Sequence, residues 1–297
     1  MKDAAVPASH AESKRTLADY IALTKPRLNV LVVATSAAGY YLGSTTAISL
    51  APLAAAVVGT TFVAGGAAAL NQVSERETDA LMRRTRTRPL PDGRISAYEA
   101  RIFGVLLSAA GLILLTVFSS WLASVLALAT LVIYLFIYTP LKRRSPIATL
   151  VGAVPGALPP LIGWAASHGS ITLGGLSLFL IVFLWQIPHF MAIAWLYRDD
   201  YGAAGFPMLP VIDPDGRRAG NQAAGYAAAL LPCSLLPVAV GLSGVVYASV
   251  ASVLGVALLV LAIQFARTRT DANARRLFHG SLIYLPLIWI VMIANKL

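Results

Sequence analysis

The sequence predicts an all-α polytopic membrane protein with nine transmembrane helices, and three observations lead there. Hydrophobic residues make up 58% of the 297 and charged residues only 12%, with a mean hydropathy of +0.73; a soluble domain is about 25% charged. Five stretches hold no Asp, Glu, Lys or Arg: Leu28 to Ser74, Ile102 to Leu141, Ser145 to Tyr197, Ala219 to Ala266 and Leu277 to Asn295. The charges that remain fall almost entirely on alternate connections. So apolar a chain can offset its ordering entropy, which excludes disorder. A net charge of +10 would suit nucleic acid in a soluble protein. Basic membrane loops account for it here, and no nucleic-acid partner is implied.

A spanning helix needs about 20 apolar residues. The first four stretches, of 47, 40, 53 and 48 residues, therefore each hold two spans and a turn, and the last, of 19, holds one. Taken in order, spans 25–44 and 49–72 part at Gly43-Ser44-Thr45-Thr46, and 98–118 and 121–139 at Ser119-Ser120. Spans 146–166 and 172–196 part at Ser167-His168-Gly169-Ser170, 221–242 and 245–266 at Ser243-Gly244, and 276–295 stands alone. These breaks are small and polar, as helix connections are. The span with Gly152, Pro155, Gly156, Pro159, Pro160 and Gly163 is expected to be irregular and to line a cavity. Residues 1–20 are polar, with no signal-peptide core, and read as a cytoplasmic tail; 21–297 reads as a single intramembrane domain. Cys233 is alone inside a span, which excludes a disulfide framework and a cysteine-based metal site.

The turns within each pair carry no charge. The opposite face collects 22 of the 23 Lys and Arg residues and all 13 Asp and Glu residues, leaving only Lys296 across the membrane. The positive-inside rule makes that face cytoplasmic, with the N-terminus inside and Leu297 outside. The spans are free of Asp, Glu, Lys and Arg except at their cytoplasmic ends, unlike the midplane of most transporters. Chemistry is therefore expected at the cytoplasmic helix ends.

Two clusters lie there. After the second span, Asn71, Glu75 and Asp79 recur every four residues and line one face of a helix that continues past the membrane surface. Like-charged carboxylates stacked near lipid call for a bridging cation, and Mg²⁺ fits because it binds through one or two carboxylates plus substrate phosphates. Arg83, Arg84, Arg86 and Arg88 come next, so a magnesium diphosphate fits better than a bare metal. Arg83 and Arg86 read more simply as topology signals. The second cluster, beyond the sixth span, holds Asp199 and Asp200 flanked by Tyr197, Arg198 and Tyr201. Two acidic ends could converge on one diphosphate. His189, nearly three turns before Asp199, is open between a hydrogen-bonded packing residue and a contact with an aromatic substrate. Lys142, Arg143 and Arg144 are equally open between a topology signal and anion contacts.

Larger strings resemble a known family. LTKPR at Leu23 to Arg27, the Asn71/Glu75/Asp79 ladder with its arginine run to Leu90, YTPLKR at Tyr138 to Arg143, GALPPLIGW at Gly156 to Trp164, WQIPHF, and YRDDYGAAGFPMLPV from Tyr197 are similar to the haem-directed branch of the UbiA-type intramembrane prenyltransferases. The resemblance implies nine helices around a central cavity, Mg²⁺, and transfer of a farnesyl group from farnesyl diphosphate to a vinyl group of haem b, with water addition. It implies Asn71, Glu75 and Asp79 at the metal-diphosphate site, Asp199 and Asp200 at a second one, and Arg84 and Arg88 on diphosphate oxygens or a haem propionate. Lys142, Arg143, Tyr197, Tyr201 and His189 are its further substrate contacts. It also implies a bacterial plasma membrane and a downstream haem A synthase as partner. Two departures stand out. Glu75 replaces the Asp of many members, and the Asp-x3-Asp spacing of a second site is absent, with Ala203 four residues beyond Asp199 and the tyrosines Tyr197 and Tyr201 holding that spacing instead. A UbiA-type enzyme acting on a quinone-precursor aromatic, or a membrane transporter, are the alternatives.

Overall fold

The computed structural model describes residues 16–297, and the regular elements among them are helices. They run α1 (Leu17–Leu23), α2 (Pro26–Gly43), α3 (Leu50–Leu81), α4 (Ala97–Phe118) and α5 (Trp121–Val132), which passes through a π-helical stretch (Ile133–Tyr138) into α6 (Thr139–Leu141). Then come α7 (Ala148–His168), α8 (Leu173–Leu196), α9 (Arg198–Ala203), α10 (Leu209–Ile212), α11 (Arg217–Cys233), α12 (Leu236–Ala239), α13 (Val245–Thr268) and α14 (Asp271–Ala294). Helix α1 begins inside the segment expected as a polar tail; residues 1–15 lie outside the described residues.

Eight helical runs among the described residues are long and apolar enough to cross a bilayer, making this an integral membrane protein. They coincide with all the predicted spans but that over 25–44. There α2 forms, with 18 residues, but Pro26, Arg27, Asn29 and two tyrosines lower its hydropathy, and it is not among the eight.

Helix α3, at 32 residues, is about 48 Å long at 1.5 Å per residue. A hydrocarbon core is about 30 Å thick, so α3 extends well past it, as the ladder's spacing requires. It packs against α4 backbone to backbone: a Cβ at Gly66 would lie 2.6 Å from the Gly104 carbonyl oxygen, and one at Gly111 would lie 2.6 Å from that of Gly59. Small residues are what allow helices in lipid to approach so closely. Ser96 caps α4, accepting from the Glu99 backbone N–H at 3.2 Å while Glu99 accepts from Ser96.

Helix α7 departs from expectation. Despite Pro155, Pro159 and Pro160 it is helical from Ala148 to His168 without a break. It is also the most enclosed of the eight spans. Packing on every side supplies what the ladder of hydrogen bonds lacks: α2 presses against it where Gly39 meets Pro160 and Gly163 meets Ser36, and Gln186 of α8 donates to the Ala153 carbonyl at 3.2 Å. At the opposite end of α2 from the ladder, the Lys296 ammonium donates to the carbonyls of Tyr41 and Ser44 at 2.7 and 2.6 Å. A cation there satisfies the exposed carbonyls of a helix C-terminus and ties the end of α14 to it.

Candidate active site

The ladder is buried. Asn71, Glu75 and Asp79 keep 2%, 3% and 1% of their surface, although Asp79 lies only two residues from the end of α3. Each meets a cation from a different segment. Lys25 Nζ donates to Asn71 Oδ1 at 3.5 Å, Lys142 Nζ sits 3.1 and 3.3 Å from the two Glu75 oxygens, and Arg88 donates to Asp79 Oδ2 at 2.7 Å. The other Asp79 oxygen, Oδ1, is buried with no hydrogen-bond partner. An unsatisfied buried carboxylate oxygen is costly, and a hard cation would satisfy it.

The local structure explains how these cations arrive. Lys25 has φ 49° and ψ 57°, left-handed values rare outside glycine, and Pro26 leads from it into α2. That conformation costs about 1–2 kcal/mol. It turns the side chain back over α3, and Gln72 of α3 clamps the same connection by donating to the Leu23 carbonyl at 2.7 Å. Lys142 owes its place to the π-helical stretch, which inserts a residue into the turn and so re-aims the side chains beyond it. Thr139, just after it, donates to the Tyr134 carbonyl at 2.8 Å and accepts from Asn71 Nδ2 at 3.1 Å. Thr85 donates to the Asp79 carbonyl at 2.7 Å and folds the arginine loop back over the ladder.

The two clusters meet through Arg84. Its guanidinium donates to the Tyr201 hydroxyl at 2.8 Å and lies 4.9 and 5.1 Å from the ring centres of Tyr197 and Tyr201. The tyrosines that take the place of the second acidic pair thus grip an arginine of the first cluster. Lys142 makes a second link, 4.4 Å from the Phe206 ring centre. Four cations, Lys25, Arg84, Arg88 and Lys142, surround two carboxylates. The surplus of positive charge suits an anion such as a diphosphate, in partly dehydrated surroundings where charge interactions are strong.

Not every expected residue joins. Asp199 is exposed and Asp200 half-buried in the first turn of α9, and neither side chain has a partner among the described residues. Arg198 turns instead to Asp271 of α14 at 3.0 Å, beside the Trp195 indole, which donates to the same oxygen. Arg143 is exposed and donates to the Ser74 carbonyl on the outer side of α3. His189 faces α14, where its Nδ1 lies 2.8 Å from Ser281 Oγ. No group of three His, Cys, Asp or Glu residues able to hold a metal occurs among the described residues, so any ion at the ladder draws further oxygens from substrate or water. Sequence reasoning missed Lys25 and Thr139 as site residues. Lys25 stood within LTKPR, and a lysine preceding proline at a helix start was the available signal.

Known proteins place this architecture. The model of the UbiA prenyltransferase family matches residues 32–288. A protein of Solibacter usitatus (strain Ellin6076) named protoheme IX farnesyltransferase is 45% identical over 287 residues, covering 94% of this chain and 98% of that one. The solved structure of a digeranylgeranylglyceryl phosphate synthase superposes with a TM-score of 0.80 at 18% identity, over 94% of this chain and 98% of that chain. A UbiA homolog from Archaeoglobus fulgidus bound to GPP and Mg²⁺ does so with a TM-score of 0.67 at 17% identity, over 93% and 99%. These two show a shared fold.

Proposed function

Since this chain belongs to the UbiA prenyltransferase family, we propose that it transfers the farnesyl group of farnesyl diphosphate to a vinyl group of haem b, adding water, to give haem O and diphosphate. It is a prenyltransferase by family, and its relatives over nearly their whole length carry the haem-directed name. The observation that carries the site assignment is the buried ladder of Asn71, Glu75 and Asp79, with one orphaned Asp79 oxygen, under a surplus of cations. Asn71, Glu75 and Asp79 would hold Mg²⁺ with substrate phosphate oxygens, and the metal supplies charge stabilisation at the leaving diphosphate. Asp199 and Asp200 are the carboxylates left for a second ion.

Arg84, Arg88, Lys142 and Lys25 stabilise the charge that develops as the allylic carbon–oxygen bond breaks. Arg84 is oriented by Tyr197 and Tyr201, and Arg88 by Asp79. The haem vinyl group, electron-rich, captures the farnesyl cation, and water quenches the cation left beside the porphyrin. The apolar helices shield the first cation from water, while His189 is a further candidate haem contact. The protein would sit in a bacterial plasma membrane, with the ladder end cytoplasmic and Leu297 outside. Haem O would pass to a haem A synthase. Membranes bearing the protein, given haem b, farnesyl diphosphate and Mg²⁺, should yield hydroxyethylfarnesyl haem. Folded protein that makes none, but prenylates a phenolic acid, points to the quinone-precursor reaction instead.

A further inference from the structure

His189 lies in α8 within the membrane, and its hydrogen bonding determines which ring nitrogen bears the proton. Ser281 of α14 is fully buried, and its Oγ has two neighbours: the Phe278 carbonyl at 2.7 Å and His189 Nδ1 at 2.8 Å. A serine hydroxyl has one proton, and a carbonyl can only accept. That proton therefore goes to Phe278, and Oγ must accept from His189, so Nδ1 carries the hydrogen. Nε2 is left with its lone pair, and nothing among the described residues bonds it. Ring contacts hold the imidazole in place: Trp185 stacks at 4.9 Å and Phe278 at 5.2 Å between centres. Trp185 also donates its indole N–H to the Ser281 carbonyl at 2.8 Å, pinning both helices at the same residue.

We infer that Ser281 is a positioning residue that holds His189 as the Nδ1–H tautomer, so that Nε2 serves as an axial ligand to the iron of the haem substrate. The inference rests on the haem reading of the protein's function. A protein histidine that binds a metal donates its other ring N–H to an oxygen acceptor, which fixes tautomer and orientation and raises the basicity of the ligating nitrogen. The His189–Ser281 pair has that form. A staple between two helices would require only some hydrogen bond between them, and the Trp185–Ser281 bond already provides one.

The test uses the full chain in lipid nanodiscs titrated with haem b, read by the Soret band and by the iron–imidazole stretch of the ferrous form. The parent should show a histidine-ligated haem. His189→Gly should lose that signature and regain it when free imidazole is added. Ser281→Ala should keep a histidine-ligated spectrum with the stretch at lower frequency, and bind haem about 10-fold or more weakly; Ser281→Thr, which retains the hydroxyl, should restore both. Haem that still binds His189→Gly with an unchanged spectrum overturns the ligand assignment and leaves the haem reading standing. A Ser281→Ala stretch identical to the parent's overturns the tautomer role, even if His189→Gly does not fold. A parent that takes up no haem overturns the inference and the haem reading together.

Discussion

Removing Lys142 separates a metal site from an ordinary ion pair. Its ammonium lies 3.1 Å from Glu75 Oε1, and the side chains are 12% and 4% exposed. At an effective dielectric near 20 the Coulomb attraction at that distance is about 5 kcal/mol. Taking one partner from a buried pair leaves an uncompensated charge and costs about 3–5 kcal/mol. Lys142→Met keeps most of the apolar stem but removes the terminal ammonium, so what is lost is the charge, with both its ion pair to Glu75 and its cation–π contact with Phe206. Thermal unfolding in detergent should fall by on the order of 10 °C. The double variant Glu75→Gln/Lys142→Met should recover most of that loss, because neither charge of the pair is left without its partner. If Glu75 is a metal ligand, Mg²⁺ takes over from the missing ammonium and binds more tightly than in the parent. Addition of Mg²⁺ should then raise the unfolding temperature of Lys142→Met by several degrees and that of the parent by less. Equal Mg²⁺ shifts in the two proteins, or a fall of under ~2 °C on losing Lys142, would refute the reasoning.

The same geometry sets three further outcomes. Asp79→Asn preserves shape and a hydrogen bond to Arg88 but removes the charge around the orphaned oxygen, so haem O formation should fall by roughly 10²–10³-fold or more, while the unfolding temperature falls less than in Lys142→Met because Arg88, 27% exposed, stays partly hydrated without its partner; turnover assays in membranes check it. Arg143→Ala should leave turnover near the parent's, since its guanidinium is committed to the Ser74 carbonyl on the exposed side of α3; a loss of about 100-fold, the size of one lost transition-state donor, would instead make it a substrate contact. Gly66→Leu places a side chain against the Gly104 backbone of α4 and should destabilise the helix pair by about 1–3 kcal/mol or more, visible as a lower unfolding temperature and reduced yield in the membrane.

Much of the molecule could be read from the chain alone, for physical reasons. A bilayer demands long apolar runs, so the charge-free stretches of Ile102 to Leu141 and Ala219 to Ala266 announced helix pairs. The helical repeat put Asn71, Glu75 and Asp79 on one face whatever surrounded them. Less legible were features that arise between segments. The three prolines of α7 argued for a broken helix, yet neighbours on all sides keep it intact. Polarity near the start of α2 was invisible to a rule that sought only the absence of charge. The π-helical stretch that aims Thr139 and Lys142 left no periodic trace.

The amino-acid sequence by itself determined the helical membrane class, the segregation of charge to one face and the acidic ladder, because each depends on spacing along a single segment. Only the tertiary structure decided which cation meets which carboxylate. It brought Lys25 to Asn71 across 46 residues and Arg84 to Tyr201 across 117, turned Arg143 outward, left Asp199 and Asp200 without partners among the described residues, and joined His189 to Ser281. Those pairings arise from how helices far apart in the chain pack together, and no local pattern specifies them.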